Sequence, residues 1–407
     1  MNYYLENYSL KEQLIVNQVN ANLGIIVVIP CFNEPNLIDS LQSLFNCHLP
    51  NCWVEVIVVI NSSENVDTLI KEQNKKTIDE ALKWNAKHQK VGIDFHFLLE
   101  DKLPIKDAGV GLARKIGMDE AVRRFEQINK PDGVIVCFDA DSKCEENYLV
   151  EIEKHFTFNP KTPACSIHFE HPITGIDYPD HIYKGIAEYE LHLRYYKNGL
   201  KYCGLPYACH TIGSSMAVRS SAYQKQNGMN KRKAGEDFYF LQKLIPLGNF
   251  TEIKTTTVIP SPRISDRVPF GTGKAMQNYI DNEQKEHLSY NIQSFVDLNQ
   301  FCTVVPDLFS TDNVEIPKSV KAYLMEINFE TNLQKIIKNS PTQTHFVKLF
   351  YNWFNAFKVL KYMHFARDKY YPDVLVTEAA NDLLSIMGKG NYGKTDLIYI
   401  YRNLDKN

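Results

Sequence analysis

Val134-Ile135-Val136-Cys137-Phe138-Asp139-Ala140-Asp141 is the stretch on which the reading of this chain turns. Four of its first five residues are branched or aromatic, and Cys137 behaves as a small apolar residue. Such a run reads as a strand buried on both faces, as in a parallel sheet. Two carboxylates, one residue apart, stand where that strand would end. Open α/β sheets bind ligands beyond the carboxyl ends of their strands. An Asp-x-Asp there can offer oxygens to a hard divalent cation, which in turn can hold a diphosphate. A local alternative competes: Ser142 and Glu145 have capping-box spacing, which would make Asp139 and Asp141 polar loop ahead of a helix.

The segments before it favour a sheet. Strand-like runs at 24–30, 53–60 and 93–99 alternate with helical patterns at 36–45, 67–89 and 109–128. Strands alternating with helices indicate βαβ units and a mostly parallel, Rossmann-like sheet with right-handed crossovers. The first strand ends at Pro30, which cannot donate to a ladder, and is followed by Cys31-Phe32-Asn33-Glu34. Residues 1–23 read as a helical extension. From about 164 the strands shorten (164–169, 214–218, 255–259), with helices around 183–196 and from 235. Beyond about 280 the chain reads as mostly helical. The aromatic-rich stretch 346–365, with Lys348, Lys358 and Lys361, reads as a core helix, with a membrane-surface face as the sharper option.

Composition bounds the function. The 407 residues allow a sizeable core and about two or three domains. A net charge of −3 gives no global attraction to nucleic acid or anionic lipid. Nine cysteines without CxxC pairs, several in apolar runs, suggest reduced thiols and a cytoplasmic setting. The first residues lack a signal-peptide pattern, and no apolar run reaches the ~20 residues of a membrane span. A soluble protein is expected, cytoplasmic or peripheral at the inner face of a membrane.

Three further features bear chemistry. Asn33 and Glu34 at the end of the first strand suit ribose hydroxyls or base edges, or else Asn simply caps the next helix. Arg114 and Lys115 follow a glycine-rich turn at a helix start, which suits a diphosphate as well as it suits a solvated basic face. Gly235-Glu236-Asp237 opens a helix, where the dipole favours an ionised carboxylate, although acidic first turns are common for stability alone. Arg263, Arg267 and Lys274 flank a Pro/Gly loop able to close over a phosphate-bearing ligand. His168, His171, His181 and His210 show no metal-ligand spacing.

In their order and spacing, these motifs resemble the family 2 glycosyltransferases of GT-A fold over roughly residues 24–275. The pattern is a strand ending Pro-x-x-Asn-Glu (Pro30 to Glu34), a Gly-x-x-x-Ala-Arg helix start (Gly109 to Arg114), a strand ending Asp139-Ala140-Asp141, and then Glu236-Asp237. The resemblance implies sugar transfer from a nucleotide-diphosphate donor, UDP-sugar favoured, to an acceptor hydroxyl on a glycan, lipid-linked or small molecule. It divides the chain into a nucleotide-binding half (24–145), an acceptor half (146–275) and a helical region (276–407). Pro30, Asn33, Glu34, Asn61, Asp107, Arg114, Asp139, Ala140 and Asp141 would then bind donor. Asp139 and Asp141 would hold Mg²⁺ or Mn²⁺ as a Lewis acid. Asp237 would be the base of an inverting displacement, with Glu236 orienting it or the acceptor.

The sequence departs from the family's usual Asp-Asp-Gly-Ser at the second strand end, where Asn61-Ser62-Ser63 stands, so a uracil preference is less secure. Lys115 replaces a usual Asn, adding a cation that would fit a diphosphate or a charged acceptor. A retaining enzyme, a nucleotidyltransferase and an inactive sugar-nucleotide binder stay open as alternatives. The loop after the first strand, Cys31-Phe32-Asn33-Glu34, lacks the Gly- and Arg-rich character that a nucleotidyltransferase would need.

Overall fold

All nine residues of Leu23–Cys31 are buried, and they form β1. A strand with no solvent side has to lie inside a sheet. The structure is a computed structural model describing residues 2–10, 12–265, 271–283, 285–311 and 313–407. Seven further strands join the same sheet: β2 (Trp53–Ser63), β3 (Ile93–Leu103), β4 (Val134–Cys137), β5 (Lys143–Cys144), β6 (Ala164–Phe169), β7 (Met216–Arg219) and β8 (Thr251–Ile259). They run in the order β3-β2-β1-β4-β7-β6-β8-β5. β1 is parallel to β2 and β4, β2 to β3, and β6 to β8, whereas β7 is antiparallel to β4 and β6, and β5 to β8. Β9 (Leu288–Ser289) and β10 (Val374–Leu375) form a separate two-stranded ladder.

Helices flank the sheet in the first half: α1 (Tyr3–Asn7), α2 (Leu37–Asn46), α3 (Thr68–Lys87), α4 (Val110–Gln127) and α5 (Tyr148–Phe158). After α6 (Asp180–Tyr202) come α7 (Ser220–Lys225), α8 (Glu236–Leu244) and α9 (Thr272–Asp281). The C-terminal part is helical: α10 (Ile292–Val304), α11 (Lys318–Glu326), α12 (Phe329–Lys338), α13 (Gln343–Trp353), α14 (Ala356–Lys369), α15 (Val376–Ile386) and α16 (Lys394–Lys406). The fold is thus α/β with a mostly parallel sheet and a helical C-terminal part. The chain forms two compact units, one of residues 1–175 with 211–275 and one of 176–210 with 276–405. Helix α6 groups with the C-terminal helices. No helix among the described residues is long and apolar enough to cross a membrane.

In the first unit α4 lies on the central strands through Gly117, where an added Cβ would sit 2.5 Å from a Val28 methyl. Pro30 is accommodated inside the sheet because β4 stops pairing at Val28, so the missing N–H faces no acceptor. Residues 1–23 are not the helix expected of them. Among the described residues of this segment only Tyr3–Asn7 is helical, and carboxylates on α4 hold the chain that follows. Leu10 N–H donates to Asp119 (3.3 Å), and Leu14 and Ile15 N–H donate to Glu120 (3.2 and 2.9 Å). Charge-assisted bonds from the backbone satisfy these two buried acids, which outweighs local helix propensity.

The capping box at Ser142 and Glu145 does not form either. Ser142 Oγ is buried without a hydrogen-bond partner, Lys143–Cys144 pairs with β8 instead, and α5 starts only at Tyr148. The aromatic stretch 346–365 is core, but as two helices. Asn355 breaks it by accepting from Lys358 N–H at 3.2 Å, and Phe346, Phe350, Tyr362 and Met363 are buried. The lysines Lys358 and Lys361 lie over the Trp353 and Phe357 rings, at 5.0 and 4.6 Å from their centres.

The second unit carries a buried charge network. Asp405 accepts from Arg194 (2.5 Å) and His210 (2.7 Å) and lies 3.3 Å from Lys197, while Glu190 accepts from Arg194 (2.9 Å) and Arg402 (2.7 Å). Removing one partner of such a set strands uncompensated charge. Asp405→Ala is expected to destabilise the protein by about 3–5 kcal/mol, seen as a lower midpoint in chemical or thermal denaturation.

Candidate active site

The strand of residues 134–141 ends earlier than its sequence pattern suggests. Pairing stops at Cys137, with Phe138 N–H still donating to Val28 O (3.0 Å), and Asp139, Ala140 and Asp141 form the turn beyond the carboxyl end. Helix α2 supports that turn, because Ser40 Oγ donates to the Ala140 carbonyl at 2.9 Å. The two carboxylates point to different guanidinium groups.

Asp139 is held by Arg114, four residues into α4. The other side of the same guanidinium holds Glu236, the first residue of α8. Arg114 is buried. Burial alone would lower its pKa, but Asp139 and Glu236 raise it well above the usual value, so the cation is permanent. Glu236 is buried too, and burial with the neighbouring Asp237 charge outweighs Arg114, pushing its carboxyl up to about 7. Gly213 packs on this guanidinium, and a Cβ there would sit 2.6 Å from its nitrogens.

Asp237 follows in the first turn of α8. Its Oδ1 accepts from Phe238 N–H at 2.7 Å, and its side chain is half-buried. The helix start and Arg114 favour the ionised form, yet dense protein around the carboxyl prevails and its pKa is raised. The helix dipole alone, from which an ionised carboxylate was expected, is the weaker effect.

Asp141 is held by Arg263, beyond β8, with Asp141 Oδ2 at 2.7 Å from the guanidinium. The same nitrogen pairs with Glu34, which is fully buried. Burial lowers the pKa of Arg263, and Asp141 with Glu34 more than restores it, to above the ordinary value. Glu34 also accepts from Asn36 N–H (2.9 Å). It therefore anchors the loop and Arg263 rather than standing open to a ribose.

The remaining expected residues divide. Asn33 takes a left-handed backbone (φ 49°) and donates its N–H to Asn74 Oδ1 at 2.9 Å. Asn74 Nδ2 donates to Asn61 O at 3.1 Å, so Asn74 ties the loop after β1 to the end of β2. Asn61 Oδ1 is buried without a hydrogen-bond partner. Asp107 lies in the turn before α4, and Lys274 in the first turn of α9. Arg267 lies outside the described residues. Lys115 is turned away from the site: it donates to Tyr4 Oη (2.9 Å) and Asp119 (3.2 Å), which removes it as a diphosphate or acceptor contact. His168 pairs with Glu170 at 2.9 Å, and His210 belongs to the Asp405 network.

The expected metal pair has a different first partner on each side. No group of three or more His, Cys, Asp or Glu among the described residues is arranged to hold a metal. With Arg263 seated 2.7 Å from Asp141, a cation at that carboxylate would meet a like charge in contact. The residues as arranged do not fit a divalent ion.

Gly213, Asn74 and the Arg263–Asp141 pair were missed from sequence. Asn74 had a readable signal, since it is a polar residue on the buried face of α3. The other two depend on segments far apart in the chain.

No protein-family model matches the sequence, and no curated protein matches it. Among solved structures the chain is similar to S. aureus TarS 1-349 in complex with UDP, at 12% identity and a TM-score of 0.41, over 85% of this chain and 91% of that one. The complex of that protein with UDP-GlcNAc gives 12% identity and a TM-score of 0.39 over 94% and 91%. A further structure of S. aureus TarS 1-349 gives 12% and 0.37 over 94% and 90%.

Because a side chain at 213 would press on the buried guanidinium, Gly213→Ala is expected to cost about 1–3 kcal/mol through overpacking. A lowered melting temperature measures it, and Gly213→Ala melting like the parent protein would refute the close fit.

Proposed function

We propose that the chain is a glycosyltransferase moving a sugar from a nucleotide-diphosphate donor to an acceptor hydroxyl. The observation that carries this reading is the convergence of Glu34, Arg114, Asp139, Asp141, Glu236, Asp237 and Arg263 beyond the carboxyl ends of β1 and β4. Ligands of open α/β sheets bind there. The partly open Arg263 guanidinium suits a phosphate, the buried Arg114 holds the acidic turn in place, and two titratable carboxyls with raised pKa suit proton transfer. A uridine donor is favoured because Asn61 Oδ1, a buried acceptor lacking a donor, complements an N3–H on the base.

In the proposed reaction the acceptor hydroxyl oxygen attacks the anomeric carbon. The carbon–oxygen bond to the diphosphate breaks and the hydroxyl proton passes to the Asp237 carboxylate. One displacement inverts the carbon. Asp237 is the better base of the two because it is half-open to solvent, while Glu236 is closed onto Arg114 and holds that cation in place. Arg263 supplies positive charge toward the leaving diphosphate once it swings off Asp141.

Mg²⁺ or Mn²⁺ enters this proposal as a competitor of Arg263 for Asp141. Arg263→Ala is expected to weaken nucleotide-sugar binding about tenfold without metal and to make the remaining binding Mn²⁺-dependent. Calorimetry with and without Mn²⁺ tests this, and equal donor affinity in the parent and the variant under both conditions would remove Arg263 from the donor site.

Asp237→Asn is expected to keep donor affinity and lower turnover by ~10²-fold or more. Parent activity should fall as pH drops through about 7, where Glu236 takes up a proton and loosens its hold on Arg114. For stability the same shift works in reverse. A carboxyl raised from 4.5 to about 7 contributes most below 4.5 and loses that contribution as pH rises through about 7. Full activity in Asp237→Asn would exclude the base role and favour retention, and a turnover profile flat from pH 5 to 8 would remove Glu236 from the working site.

A further inference from the structure

Ser40 and Ser43 of helix α2 and Cys47, the residue capping its C-terminus, all touch the segment that follows β4. Ser40 Oγ donates to Ala140 O (2.9 Å), and Cys144 N–H donates to Ser43 Oγ (2.9 Å). Cys47 Sγ lies 3.6 Å from Cys144 Sγ and 3.7 Å from the Glu145 carbonyl. The backbones are adjacent here, since His48 N–H donates to Glu146 O at 2.7 Å. Both cysteines are free thiols, Cys47 buried and Cys144 half-buried. Cys144 stands on β5, three residues beyond Asp141 and paired with Val258 of β8, the strand that leads to Arg263.

We propose that Cys47 and Cys144 are a redox pair, which a peroxide-class oxidant converts to a disulfide that fastens α2 to the turn carrying Asp139 and Asp141. Closing the contact from 3.6 Å to a bonded length of about 2.05 Å takes only about 1.5 Å of movement. Within the pair Cys47 is the more acidic thiol. The contact with Cys144 Sγ and the positive charge of Lys90 lower its pKa, against the opposing effect of burial. Its sulfur attacks one oxygen of hydrogen peroxide, forming a Cys47 sulfenic acid and releasing water. The Cys144 sulfur then attacks the Cys47 sulfur, the S–O bond breaks, and a second water leaves with the Cys144 proton. Two thiols lose two electrons in total and one peroxide gains them. The half-buried Cys144 side is the entry for an oxidant of that size.

The two residues are 97 positions apart, so the bond closes a long loop and restricts the unfolded chain strongly. Its formation does not depend on the sugar-transfer reading. Reduced protein is treated with hydrogen peroxide at a few molar equivalents, then alkylated and mapped by mass spectrometry. The expected result is a loss of about 2 Da, a Cys47–Cys144 linked peptide, reversal by dithiothreitol, and a melting temperature raised by about 5 °C over the reduced form. Cys47→Ser and Cys144→Ser should each abolish the linked peptide and the shift. If the folded parent protein keeps both thiols alkylable, or if the link forms only after denaturation or to another cysteine, the proposal is wrong. Should a serine variant fail to fold, the parent peptide map decides alone.

Discussion

The buried guanidinium of Arg114 is the contact on which the site depends. It joins three separate pieces of chain: its own helix α4, the turn after β4 through Asp139, and the start of α8 through Glu236. A cation this deep persists only when paired, and a carboxylate this deep persists only when it is neutral or paired. Neither acid can leave without stranding the arginine. That mutual need fixes the position of Asp237, the next residue along.

A second arginine repeats the device at the edge. Arg263 ties the loop after β1, through Glu34, to Asp141. The difference lies in exposure. The Arg114 guanidinium is closed off, whereas Arg263 keeps contact with solvent, so Arg263 can turn to a ligand and Arg114 cannot. Beneath both, α2 grips the turn through Ser40, Ser43 and Cys47. The acidic turn is therefore braced from below and neutralised from two sides.

Much of this frame was legible in the chain. The apolar runs at 24–30, 56–60 and 134–138 could be satisfied only inside a sheet, and β1, β2 and β4 are its buried neighbours. Local pattern misled where tertiary contacts prevailed. Ser142 and Glu145 had capping spacing, but β8 took the backbone of that segment instead. Residues 8–22 had a helical look, but buried Asp119 and Glu120 needed their N–H groups. Lys115, next to Arg114, read as a second phosphate contact, yet consecutive residues on a helix point about 100° apart, and it serves Tyr4 and Asp119.

By itself, the sequence determined the α/β class, the parallel pairing of the early strands and the set of acidic and basic residues at their ends. Those follow from side-chain periodicity and from the rule that buried strands must be apolar on both faces. Only the tertiary structure decided which charge meets which. Arg114 with Glu236 is a contact across 122 residues, and Arg263 with Asp141 joins segments equally remote in the chain. Pairing of that kind is set by how the sheet brings strand ends together and by the cost of leaving a buried charge alone, neither of which is written in local spacing.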